Sequence, residues 1–150
     1  MAEIWKMPVN FHKLNDKAVT PTYGTEFAAG ADLYYCGDEQ VIVPGGETCK
    51  IGTGIACEIP VGLVGLVFAR SGLACKMDLA PANKVGVIDS DYRGEVIVML
   101  HNHGPKNRIV EPGERVAQIV FVPYVKALFN EVSELNETAR GDNGFGSTGK

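Results

Sequence analysis

The sequence predicts an all-β fold, a jelly-roll-like barrel or sandwich with one short helix, and three observations predict it. Eighteen glycines and eight prolines cut the chain into short apolar runs that suit strands better than helices. Only one stretch reads as a helix, a turn or two beginning near Ser71. The 150 residues, 45% of them apolar, suffice for one core and are few for two, so a single domain over 1–150 is expected.

The elements follow in order. Residues 41–43 form an apolar run closed by Pro44, Gly45 and Gly46, residues 54–59 one closed by Pro60 and Gly62, and residues 63–68 a third. Ser71 is placed as the N-cap of the helix, which continues through Met77 and is ended by Asp78-Leu-Ala-Pro81. Residues 85–88, 95–101, 115–122 and 127–132 extend the strand series, with Gly104-Pro105 and Pro112-Gly113 as breaks. Within residues 95–100 every position after Glu95 is apolar, which predicts burial on both faces and hence a subunit interface. The β body is expected to end at residue 133. From Glu134 the chain turns polar and glycine-rich and reads as a flexible arm, 134–150, leaving the body.

Composition excludes several classes. A net charge of −4 without a lysine or arginine block argues against direct nucleic-acid binding. No run approaches the ~18 apolar residues of a membrane span, and the N-terminus lacks a secretory signal, so an intracellular, cytoplasmic location is expected, with a nucleus as an alternative. Cys36, Cys49, Cys57 and Cys75 lack zinc-ligand spacing and read as reduced, mostly buried thiols. His101 and His103 share a strand face without a third ligand in sight.

Five segments combine glycine, charge and turn character. Ala29-Gly-Ala-Asp-Leu33 sets a carboxylate among small residues, although Gly-x-Asp is usually only a turn. Ala69-Arg-Ser-Gly72 joins a guanidinium, a hydroxyl and a helix start, which is either an anion site or a capped helix with a surface arginine. Gly86-Val-Ile-Asp-Ser-Asp-Tyr-Arg-Gly-Glu95 carries two carboxylates and an aromatic between strand runs; it is a solvated hairpin tip unless Asp89 faces a cavity, where it could take a proton from water. Pro112-Gly-Glu-Arg-Val-Ala-Gln-Ile119 holds Gln118, an amide among apolar neighbours that needs partners. Arg140-Gly-Asp-Asn-Gly-Phe-Gly-Ser-Thr-Gly-Lys150 has the donors of a phosphate cradle. It fits the spacing of a P-loop but lacks the Ser/Thr and helix that must follow.

In their order along the chain these segments resemble the five motifs of the trimeric dUTPases, over residues 29 to 149. The resemblance implies a jelly roll, a homotrimer with shared active sites, and hydrolysis of dUTP to dUMP and pyrophosphate with Mg2+, which keeps uracil out of DNA and supplies dUMP for dTMP synthesis. It implies Asp89 as general base. It implies uracil and deoxyribose contacts from Asn83, Gly86, Val87, Ile88, Tyr92, Ile97 and Phe145. Phosphate contacts are implied for Arg70, Ser71, Gly72, Gln118, Arg140, Gly146, Ser147 and Thr148, and approach to the metal through water for Asp32 and Gln118. The arm would close over the site of another subunit. Ala69 departs from the proline common in the family, and Lys84 is expected to face solvent.

A dCTP deaminase would need a catalytic glutamate in the hairpin, and a nucleotide-sensing binding protein would add a regulatory protein partner to the same site.

Overall fold

The computed structural model describes Ile4 and residues 6–144. Its strands are β1 (Asn10–Lys13), β2 (Thr22–Tyr23), β3 (Ala31–Tyr34), β4 (Val41–Val43), β5 (Thr48–Glu58), β6 (Leu63–Phe68), β7 (Leu79–Pro81), β8 (Gly86–Ile88), β9 (Glu95–Asn102), β10 (Arg108–Val110) and β11 (Arg115–Pro123). One helix, α1 (Ser71–Met77), lies between β6 and β7. The sheets run β1-β5-β9-β7 and β2-β3-β11-β6-β8, with β10-β4 as a separate pair, and every pairing is antiparallel. This is the jelly-roll-like, nearly all-β architecture the sequence predicts. Among the described residues no helix is long and apolar enough to cross a membrane.

The core forms where the inward faces of the two large sheets meet. Ile51 and Ile55 of β5, Leu79 of β7 and Val96, Val98 and Leu100 of β9 face it from one sheet; Leu33, Val67, Ala117 and Ile119 face it from the other. β-branched residues dominate because they pack well on a pleated surface. Asn102 is fully buried but satisfied: its amide donates to the carbonyls of Val43 and Lys106, at 2.9 and 2.7 Å, and its oxygen accepts the Gly104 N–H at 3.0 Å.

Four expectations need correction. Residues 127–132 form no strand: the chain beyond Pro123 leaves the sheet and pairs with no strand of the protomer among the described residues, and strand composition without a ladder partner does not make a strand. Its apolar side chains lie open, Val125 at 93% exposure, Leu128 at 96% and Phe129 at 99%. β9 is buried on one face only, because Val96, Val98 and Leu100 alternate with half-buried Ile97 and exposed Met99. Ser71 is the first helical residue; the N-cap is Arg70, in extended conformation, with no side-chain cap. Of the four cysteines, all free, Cys57 alone is buried, Cys36 and Cys49 are half-buried, and Cys75 is exposed on α1. Burial pushes the Cys57 thiol up, which keeps it protonated.

Candidate active site

The site residues fall into two groups within one protomer. The first is built across three neighbouring strands. β11 pairs Gln118 with Asp32 of β3 on one side and with Phe68, the last residue of β6, on the other, so these residues form one row, and Ala69 and Arg70 follow directly after it. Asp32 is not a turn residue. It lies buried in β3, where its Oδ1 accepts the Arg70 Nε–H at 2.7 Å and its Oδ2 accepts a proton of Arg115 at 3.2 Å.

A buried carboxylate needs such partners, and the pairing fixes the Arg70 guanidinium in return. Gln118 Nε2 donates to the Ala69 carbonyl at 2.9 Å, which anchors the start of the Arg-Ser-Gly turn. The Gln118 oxygen lies against Gly30, where any Cβ would collide with it; this explains the glycine at that position. Ser71 and Gly72 are exposed at the first turn of α1, and no side chain caps its N–H groups. Arg115 was not singled out from sequence. An arginine three residues before Gln118, at a strand start, was the signal available.

The second group sits where the chain passes from one sheet to the other. β7 belongs with β9, whereas β8 pairs with β6, and Asn83 and Lys84 make the crossing. Lys84 is exposed at φ +64, as expected of a solvent-facing turn residue. β7 pairs with β9 only between Leu100 and Asn102, and the Ala82 N–H reaches the Met99 carbonyl at 2.7 Å. Among the described residues, Ile97 thus has no strand partner on that side. Gly86, Val87 and Ile88 form β8 itself. Asp89 follows, exposed, and the Tyr92 N–H closes the turn on the Asp89 carbonyl at 3.2 Å. Tyr92 is 43% exposed, and its hydroxyl donates to the Glu95 carbonyl at 3.0 Å, which leaves the ring held in place and open to a ligand.

The two groups do not meet at their reactive ends. Ile88 faces Gly65 near the start of β6, whereas Arg70 follows its far end, so about 20 Å of strand separates Asp89 from Arg70 along the sheet. Arg140 lies in the exposed stretch after β11, its Nε donating to the Asn143 carbonyl at 2.9 Å. Phe145, Gly146, Ser147 and Thr148 lie outside the described residues.

His101 and His103 stand edge to face with ring centroids 4.5 Å apart, and His101 Nδ1 is 2.9 Å from Thr48 Oγ1. Desolvation, then the charges of Lys84 and His101, hold His103 below the usual histidine range against the opposing pull of Asp78. Among the described residues no trio of His, Cys, Asp or Glu side chains could cage a metal ion.

The dUTPase family model matches residues 16–149. The deoxyuridine 5'-triphosphate nucleotidohydrolase of Syntrophotalea carbinolica is 45% identical, over 94% of this chain and 96% of its own. The dUTPase of Staphylococcus bacteriophage 80alpha, solved with dUpNHpp, superposes with a TM-score of 0.84 at 26% identity, over 97% of this chain and all of the other. A mutant dUTPase from phage phi11 of S. aureus, whose structure describes coordination of a structural Mg(II) ion, reaches a TM-score of 0.76 at 25% identity, covering 85% of this chain and 98% of its own.

Proposed function

This chain belongs to the dUTPase family and is a dUTP diphosphatase, and from that premise we propose how its residues divide the reaction. The observation that carries the reading is the separation of the two groups. The Asp32–Arg70–Gln118 cluster is interlocked inside one protomer, while Asp89 and Tyr92 lie off the opposite end of β6.

Asn83, the backbone of Gly86, Val87 and Ile88, and the backbone of Ile97 on its edge away from β5 read uracil. Hydrogen bonds to its O4 and N3–H reject cytosine, whose donor pattern there is reversed. Tyr92 packs under deoxyribose and leaves no room for a ribose 2′-hydroxyl. Asp89 orients a water and takes its proton; the water oxygen bonds to the α-phosphorus in line as the bond to the bridging oxygen breaks, releasing dUMP and pyrophosphate. Arg70, Ser71, Gly72 and Gln118 hold the phosphates. From the arm, Arg140, Gly146, Ser147 and Thr148 add phosphate contacts and Phe145 stacks on the uracil.

Both Asp32 oxygens already accept from arginines, so Asp32 and Gln118 would hold a Mg2+ through its water shell rather than by direct contact. Bound there, the ion would offset the phosphate charge.

A phosphate group and a nucleoside group at opposite ends of one strand make a whole site only when protomers combine. A homotrimer sharing three sites meets that need, with residues 1–133 as body and 134–150 as the arm crossing between subunits. The open side chains of Val125, Leu128 and Phe129 support it, because so much exposed apolar surface suits a segment that docks on another copy. The role is intracellular: removing dUTP keeps uracil out of DNA and supplies dUMP for dTMP synthesis.

The experiment is pyrophosphate release with Mg2+ from dUTP, dCTP, dTTP and UTP in parallel, for wild type and Asp89→Asn. Release from dUTP alone, lost in the variant, is the expected result. Equal release from UTP would remove the sugar role of Tyr92, and undiminished release by the variant would remove Asp89 as base.

A further inference from the structure

The longest pairing in the fold carries an irregularity next to the site. Between Gly52 and Ala56 β5 advances four residues, while β9 advances two, from Ile97 to Glu95. Side chains replace the ladder bonds lost at this bulge. Thr53 Oγ1 donates to the Val96 carbonyl at 2.6 Å, and the Gly54 N–H donates to Glu95 Oε1 at 2.8 Å. Gly54 sits at φ +66, and a Cβ there would meet Ala18 and Cys36 Sγ at 2.8 Å, so the backbone must stay in this form.

Glu95 is also the residue on which the Asp89 turn lands. Its backbone carbonyl accepts the Tyr92 hydroxyl at 3.0 Å, and Tyr92 in turn closes the loop on Asp89. One residue therefore grips β5 with its carboxylate and Tyr92 with its main chain. No step of the proposed reaction uses that carboxylate.

We propose that Glu95 is a positioning residue for sugar discrimination. Its grip on Gly54 fixes the first residue of β9, and with it the height of the Tyr92 ring on which deoxyribose rests. The inference rests on the reading of Tyr92 as the sugar platform. What matters is an acceptor oxygen at that place, so an amide can replace the carboxylate and a methyl group cannot. The same carboxylate can be displaced without altering Glu95, because a Cβ on Gly52 would lie 2.7 Å from its Oε1.

The test is kcat and KM for dUTP and for UTP in wild type, Glu95→Ala, Glu95→Gln, Gly52→Ala and Tyr92→Ala. Glu95→Ala and Gly52→Ala are expected to lower the dUTP-to-UTP ratio of kcat/KM by about tenfold, as a small displacement of a positioning group does. Glu95→Gln is expected to keep the ratio near wild type. Where Glu95→Ala fails to fold, Gly52→Ala and Glu95→Gln decide. A lower melting temperature with an unchanged ratio in Glu95→Ala and Gly52→Ala would overturn the proposal, as would a Glu95→Gln ratio as low as that of Glu95→Ala. A shifted ratio in Tyr92→Ala alone would overturn the role of Glu95 and leave the platform standing. An unshifted ratio in Tyr92→Ala would overturn the platform itself and the proposal with it.

Discussion

The two halves of the site are held in opposite ways. Arg70 is locked before any ligand arrives, since Asp32 orients its guanidinium and Gln118 anchors the Ala69 carbonyl beneath it. Asp89 is exposed on a turn, where no side-chain hydrogen bond holds its carboxylate among the described residues. Phosphate binding gains from donors fixed in advance. A base that must meet a water and an α-phosphate can wait for the partner surface that completes its pocket. On the proposed assignment, the difference teaches that one protomer supplies a finished phosphate grip and an unfinished reaction centre.

The largest expected effect breaks the unfinished half. Asp89→Asn should lower kcat by about 10²–10⁴-fold and leave melting temperature and assembly state unchanged, because the side chain supports nothing in the fold. Calorimetry beside the pyrophosphate assay checks both halves of that statement.

Removal of residues 140–150 should come next, crippling turnover while the proposed trimer persists in sedimentation; dissociation on truncation would show that the arm is structural.

Arg70→Ala breaks the finished half and should cost in both currencies. We expect kcat/KM to fall about 10²-fold, and stability to fall by about 1–3 kcal/mol because Asp32 is left buried with Arg115 alone. Chemical denaturation separates this variant from Asp89→Asn, which should lose activity only.

The smallest effect concerns the crossing between the sheets, where His103 feels Lys84. The His103 pKa lies below its unfolded value, so the fold favours the neutral ring; its contribution to stability is complete above about pH 6.5 and is lost as pH falls toward the folded pKa. An NMR titration giving a His103 midpoint at or above the ordinary value would contradict this.

Legibility in the sequence followed the same division. Runs bounded by proline and glycine, such as those that became β4, β6 and β9, were readable because their pattern is local. Asn10–Lys13 was not, since Phe11 is its one apolar residue, all four residues are exposed, and they owe their strand form to pairing with β5. Leu79–Pro81 read as a helix terminator for the same reason: β9 makes it a strand. Residues 127–132 failed in the other direction, having strand composition without a partner in the protomer. At the site, residue types were legible and arrangements were not. The second arginine on Asp32 and the clamp of Glu95 on Gly54 join positions 83 and 41 residues apart, and no local pattern encodes such contacts.

The central claim is that each working site takes Arg70 and Asp89 from different protomers, and mixing inactive variants tests it most directly. Arg70→Ala and Asp89→Asn chains, unfolded together and refolded as mixed oligomers, should recover about a quarter of wild-type activity at equal proportions, since random assembly restores that share of intact pairings. Recovery no greater than that of either variant refolded alone would place both residues of a site in one chain and contradict the account.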